Sequence, residues 1–117
     1  MCGIAGVICR DGQSPKPDIL AALAGALAHR GPDGAGQHID GGVALVHRRL
    51  AIVDLVTGDQ PLTSDDGTAL IANAEIYNDL DLRTELTGYA TGSDCESALR
   101  LYMRDGLAFA QIGRAHV

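Results

Sequence analysis

Met1-Cys2-Gly3-Ile4-Ala5-Gly6-Val7 opens the chain. Residues 3–9 alternate small and branched apolar residues, which predicts a buried strand that starts one residue after a cysteine. Once Met1 is removed, Cys2 carries a thiol and a free α-amine on the same carbon. That is a nucleophile and a base within one residue. Free thiols and α-amines each titrate within about two units of pH 7. Cysteine is also a common buried residue, so the rest of the sequence must decide between a chemical and a packing role.

Working outward, Arg10-Asp11-Gly12 closes the strand with a turn signal. Ile19, Leu23 and Leu27 recur at four-residue spacing and predict a helix over residues 18–30, with Asp18 as its N-cap. Gly31-Pro32-Asp33-Gly34 ends it. Residues 42–47 and 50–54 predict strands joined by His47-Arg48-Arg49, and residues 68–72 predict another. Thr57-Gly58-Asp59-Gln60-Pro61 reads as a loop. Asp79 to Leu86 predicts a helix terminated by Gly88. Ser93-Asp94-Cys95-Glu96 has the Ser-to-Glu spacing of a capping box and predicts a helix to Arg104, ended by Asp105-Gly106. The order of strand, helix, three strands and two helices is an α+β arrangement with antiparallel neighbours. No linker or internal repeat interrupts it.

The 117 residues suffice for one small domain, and with no Trp and one Phe its core must be mostly aliphatic. A net charge of −6 offers no basic face for phosphates, which argues against nucleic acid as a partner. Cys2, Cys9 and Cys95 fit neither a zinc pattern nor a disulfide framework, as suits a reducing cytoplasm. His29, His38, His47 and His116 stand at no metal-ligand spacing, so no metal site is expected. The apolar run from Ile19 to Ala28 is too short for a bilayer, which needs about 20 residues. Asp11, Pro15, Pro17 and Asp18 spoil it as a secretory leader. No membrane association is expected. Gly31 to Gly36 lacks the Gly-Lys-Ser/Thr ending of a phosphate-binding loop and reads as a plain loop.

A thiolate attacking an amide needs two donors for the oxygen that becomes negative. The side chain of Asn73 and the backbone N–H of Ala74 offer a pair at a strand end, although Asn73 also suits a simple turn. An amino-acid substrate needs its carboxylate and ammonium groups held. Arg49 offers a bidentate guanidinium, and Glu75 and Asp94 offer carboxylates. All three also suit solvated surface positions.

Six runs taken in order resemble the class II glutamine amidotransferases, which are N-terminal-nucleophile hydrolases. More narrowly, they are similar to the glutaminase domain of glutamine-dependent asparagine synthetases. The runs are Met1-Cys2-Gly3-Ile4-Ala5-Gly6, His29-Arg30-Gly31-Pro32-Asp33-Gly34 and His47-Arg48-Arg49-Leu50-Ala51-Ile52-Val53-Asp54. Gly58-Asp59-Gln60-Pro61-Leu62, Asn73-Ala74-Glu75-Ile76-Tyr77-Asn78 and Gly92-Ser93-Asp94-Cys95-Glu96 complete them. The resemblance implies a four-layer αββα sandwich, of which residues 1–111 supply the N-terminal part. It implies Cys2 as nucleophile, with its α-amine moving the proton. It implies Arg49 on the glutamine α-carboxylate, and the backbone of Leu50, Ala51, Ile52 and Val53 lining the pocket. Asn73 and Ala74 form the oxyanion hole, and Glu75 and Asp94 hold the α-ammonium group.

The same resemblance implies that ammonia is passed to a second domain, absent here, where ATP and Mg²⁺ activate aspartate for conversion to asparagine. No cofactor is expected in this segment, and homodimerisation stays open. Relatives of this kind also feed sugar phosphates, nucleotide precursors or other carboxylates, and a non-catalytic glutamine-binding or dimerisation remnant is a further reading. The family usually has Gly where this chain has Ala74, and an alanine is strained if that residue needs positive φ. Residues 112–117 complete no element and match a translated sequencing adapter, so they are expected to be a non-native tail. An incomplete sandwich leaves strand edges and apolar faces uncovered, so the chain alone is expected to be poorly soluble and weakly active.

Overall fold

A computed structural model describes residues 1–52 and 56–110. The predicted strand through residue 54, the pocket residue Val53 and the tail at 112–117 therefore lie wholly or partly outside the described residues. The chain divides into two compact units. The first comprises residues 1–52 and 59–73, and the second the described parts of residues 53–58 and 74–117.

The first unit is built on three antiparallel strands, β1 (Gly3–Ile8), β2 (Gly34–Asp40) and β3 (Val43–Arg49), ordered β1-β3-β2. Gly3 stands opposite Arg48 and Ile8 opposite Val43, while Gly34 stands opposite Arg49. Side chains alternate between the two sheet faces. Ala44 and Val46 take one face, where Leu20 of helix α1 (Pro17–Ala26) is buried against them with Ala5, Val7, Leu23 and Ala24. Leu45, His47 and Arg49 take the other. A small hairpin of β4 (Leu62–Thr63) and β5 (Ala69–Leu70) follows. Asp66 accepts from Thr68 N and from the Ser64 hydroxyl, which shapes the turn between them.

The second unit holds α2 (Asp79–Glu85), α3 (Glu96–Asp105) and a 3-10 turn, Gly106–Ala108. Leu82, Leu86 and Leu101 form its buried core, with Ile76, Tyr89 and Phe109 packed against it. Each such leucine contributes about 1.5–3 kcal/mol by leaving water.

The α+β reading holds, but several boundaries move. Pro17 occupies the first turn of α1, where its missing N–H costs nothing, so Lys16 rather than Asp18 precedes the helix. The apolar stripe shifts by one residue: Leu20 is buried with Leu23 and Ala24, while Ile19 is exposed. The helix ends at Ala26 and passes into turns through Arg30. Gly34–Asp40, taken as loop and flanking sequence, is strand β2. Gly36 is what allows it: a Cβ there would stand 1.9 Å from the Gln60 carbonyl oxygen. His47-Arg48-Arg49 does not join two strands but completes β3, and residues 50–52 leave the sheet. The capping box does not form either, because Glu96 turns its carboxylate to Ala90 and Thr91.

Candidate active site

The antiparallel pairing of β1 and β3 brings the start of the chain to the end of the central strand. There the Leu50 N–H donates to the Cys2 sulfur at 3.4 Å, and the thiol lies 3.7 Å from the Leu50 carbonyl oxygen. Two backbone groups thus orient the half-buried sulfur immediately beside Arg49. Residues 50–52 leave the ladder because their donors are used elsewhere: Leu50 N–H on sulfur and Ala51 N–H on Asp33 Oδ2 at 2.8 Å.

The loop after α1 straps this corner. Arg30 Nε donates to the Cys2 carbonyl at 3.1 Å, Arg48 Nε to the Gly31 carbonyl at 2.9 Å, and Asp33 N–H to the Arg49 carbonyl at 2.9 Å. A Cβ on Gly31 would lie 2.4 Å from the Arg48 carbonyl carbon. Only glycine lets the loop cross the strand this closely.

Arg49 is not a solvated surface charge. Its side chain is 8% exposed, and Nη1 meets Asp59 Oδ1 at 2.8 Å, with Asp59 itself 79% exposed. A buried guanidinium needs a partner, and a carboxylate reaching in from solvent provides one while remaining hydrated. Next to Asp59, Gln60 Oε1 accepts from Ala72 N–H at 2.6 Å. The loop that balances Arg49 therefore also fixes the segment leading to Asn73, which is exposed. His47, on the same strand face as Arg49, is 1% exposed, and its Nε2 has no hydrogen-bond partner among the described residues. Burial disfavours the imidazolium and holds its pKa below the usual histidine value, against a weaker opposing pull from the Ala72 backbone.

Ala74, Glu75 and Asp94 belong to the second unit. The turn before α3 holds the segment 74–76: Ile76 N–H donates to Asp94 Oδ2 at 2.6 Å, and the Cys95 thiol donates to the Ala74 carbonyl at 3.5 Å. Glu75 lies between these two ties and is exposed. The loop leading to Asp94 is held from both sides. Arg83 donates to the Thr91 and Ser93 carbonyls at 3.1 and 2.8 Å, is braced by Asp79 at 2.9 Å and stacks 4.2 Å from the Tyr89 ring centroid. Glu96 accepts from Ala90 N–H at 2.8 Å, Thr91 N–H at 2.7 Å and Arg100 Nη2 at 2.8 Å. Burial alone would push Glu96 up, but the hydrogen bonds from Thr91, Ala90 and Arg100 outweigh it and hold the carboxyl below the ordinary glutamate range.

The structure therefore places Cys2, Arg49, Leu50, Ala51, Ile52 and Asn73 in one unit, and Ala74, Glu75 and Asp94 in the other. Asp33, Asp59, Gln60, Arg83 and Glu96 all act on these residues, yet none was assigned a role at the site from the sequence; Glu96 was read only as a helix cap. Their signal was available only as motif membership, since spacing along the chain does not reveal a loop that folds back on a strand. Among the described residues, no group of three or more His, Cys, Asp or Glu is placed to hold a metal ion. No helix among them is long and apolar enough to cross a membrane.

The glutamine amidotransferase domain model matches residues 1–113, and the chain belongs to that family. Three relatives sharpen the comparison. The chain is 44% identical over 113 residues to asparagine synthetase [glutamine-hydrolyzing] of Sandersonia aurantiaca, covering 93% of this chain and 22% of the relative. It is 47% identical over 118 residues to a probable asparagine synthetase [glutamine-hydrolyzing] of Schizosaccharomyces pombe, covering 96% and 21%. It is 41% identical over 115 residues to asparagine synthetase [glutamine-hydrolyzing] 2 of Bacillus subtilis, covering 93% and 15%. The chain thus spans about a fifth of the length of these relatives.

Proposed function

We propose that this chain is the glutamine-hydrolysing part of an asparagine synthetase, supplying ammonia for the ATP-dependent conversion of aspartate to asparagine. The observation that carries the site is the Cys2 sulfur held 3.4 Å from Leu50 N, one residue beyond Arg49. Identities of 41–47% to asparagine synthetases support the choice of acceptor. The fold we infer for the whole domain is the four-layer αββα sandwich, with the three-stranded sheet and α1 as two of its layers. Residues 1–111 are then the N-terminal part of that domain. Cys2, Cys9 and Cys95 are not joined in disulfides among the described residues, which supports a reducing cytoplasm as its setting.

In this reading the Arg49 guanidinium, set by Asp59, takes the glutamine α-carboxylate, and the backbone of residues 50–52 lines the pocket. Glu75 and Asp94 take the α-ammonium group. The Cys2 thiolate attacks the side-chain carboxamide carbon, forming a C–S bond while the carbonyl electrons move to oxygen. The Asn73 amide and the Ala74 N–H donate to that oxyanion. Collapse of the tetrahedral adduct breaks the C–N bond, and the leaving nitrogen takes the proton carried by the Cys2 α-amine to depart as ammonia. Water then hydrolyses the γ-glutamyl thioester to glutamate and restores the thiol. The amine can do this only after Met1 is removed, because before that the same nitrogen is an amide. ATP and Mg²⁺ serve the synthetase domain of the parent protein, and no step above passes through them.

The test is ammonia release from glutamine by the full-length parent enzyme carrying Cys2→Ala. Activity falls to background while the thermal melt stays within a degree or two of the parent's. Release at the parental rate by that variant removes Cys2 from the chemistry and the proposal with it.

A further inference from the structure

His47 has no part in the chemistry just described, yet it is buried on the central strand that carries Arg49. It carries an Nε2 with no hydrogen-bond partner among the described residues, and lies two residues before Arg49 on the same face of β3. An unpaired polar atom in a packed interior is a standing cost that a leucine or methionine would not carry. From β1 the facing residue is Ile4 and from β2 it is Gly36, neither of them charged. The charged groups that act on the ring are Arg49 on its own strand and Asp59 on the loop after it, and the Ala72 backbone approaches from the segment leading to Asn73.

We infer that His47 is a positioning residue for glutamine binding, its neutral imidazole setting the Arg49–Asp59 pair against the Ala72–Asn73 segment. The inference rests on reading Arg49 as the group that takes the substrate carboxylate. A neutral ring, buried two residues from Arg49 on the same strand face, leaves the Arg49–Asp59 pair undisturbed. A protonated ring competes for the Asp59 carboxylate and repels the guanidinium at close range in a dry interior. Acidification therefore weakens glutamine binding through His47, an effect on KM rather than on the attack by Cys2. The burial that depresses the ring's basicity puts this effect below the usual histidine value of 6.5.

The experiment measures KM and kcat for glutamine from pH 5 to 8 in the full-length parent enzyme and in its His47→Gln and His47→Leu variants. In the parent, KM climbs roughly tenfold toward the acid end, the equivalent of one disturbed ionic contact of about 1.4 kcal/mol. His47→Gln cannot become charged, so its KM stays flat with pH while its kcat profile keeps the parental shape. His47→Leu removes the orphaned nitrogen, so it melts no lower than the parent yet binds glutamine severalfold more weakly at pH 7.5. A His47→Gln variant whose KM follows the parental pH curve overturns the inference, as does a His47→Leu variant that loses stability with KM unchanged. If the unmodified parent releases no ammonia at any pH, the glutaminase reading fails instead, which separates the two outcomes.

Discussion

At the scale of single residues, the site is arranged through second partners. Arg49 is set by Asp59, Ala51 by Asp33, and Cys2 by Leu50. The backbone N–H of Asp33 is tied to Arg49 O, and its carboxylate serves Ala51. Asp33→Ala therefore releases the 50–52 backbone from the strap at a cost of about 1–2 kcal/mol. In the parent enzyme this appears as a glutamine KM raised roughly tenfold with a smaller change in kcat, measured by steady-state ammonia release. An unchanged KM would show that the strap does not shape the pocket. Asp59→Asn separates charge from shape at Arg49. It keeps the side-chain oxygen but removes the countercharge, and KM rises while the melting temperature moves little because Asp59 is largely exposed.

At the scale of elements, chain periodicity revealed what lies along one element and missed what depends on a neighbour. β1 was legible from its alternating apolar residues, and α2 and α3 from the glycines that end them, Gly88 and Gly106. β2 was not, because Gly31 to Gly36 looks like a loop until the Gln60 backbone is known to lie against Gly36. The reach of β3 to Arg49 was hidden by its two arginines, which read as a connector although one is buried and ion-paired. The six ordered runs name the candidate site residues, but not their supports, since Asp59, Gln60 and Arg83 act across loops. Glu96 shows the same limit: its spacing from Ser93 fits a cap, but in the fold its carboxylate has backbone donors at Ala90 and Thr91 that outcompete the capping geometry. Glu96→Gln replaces an acceptor that faces N–H groups with one that carries donors of its own. It costs about 2 kcal/mol, read as a lower chemical-denaturation midpoint. The pH dependence has a definite sign. The Glu96 pKa is depressed on folding, so its contribution is present above the unfolded value of 4.5 and is lost as pH falls through the lower folded value. His47 adds to acid lability from higher pH, since the unfolded chain takes up a proton near 6.5 that the folded ring resists. A denaturation series from pH 7 to 3 should show both losses, and Glu96→Gln should flatten the lower one.

At the scale of the whole molecule, the two sheet faces are treated differently. One is covered by α1 through Leu20. On the other, Ile8 and Val43, paired on adjacent strands, stay 78% and 42% exposed at one end of the sheet, and Ile4 stays 46% exposed toward the other end. Such a patch favours self-association. Ile8→Lys is expected to leave the melt within about 0.5 kcal/mol, as for other exposed positions, while raising the soluble yield of the 117-residue chain; an unchanged yield would place the liability elsewhere. The account as a whole depends on the α-nitrogen of Cys2 being a free amine when glutamine is cleaved. The most direct measurement compares two preparations of the full-length parent enzyme, one processed and one retaining Met1, each verified by intact mass and assayed for ammonia release. The processed enzyme should turn over glutamine and accumulate a γ-glutamyl adduct on its first residue, and the unprocessed enzyme should do neither. Equal rates from the two would contradict the account.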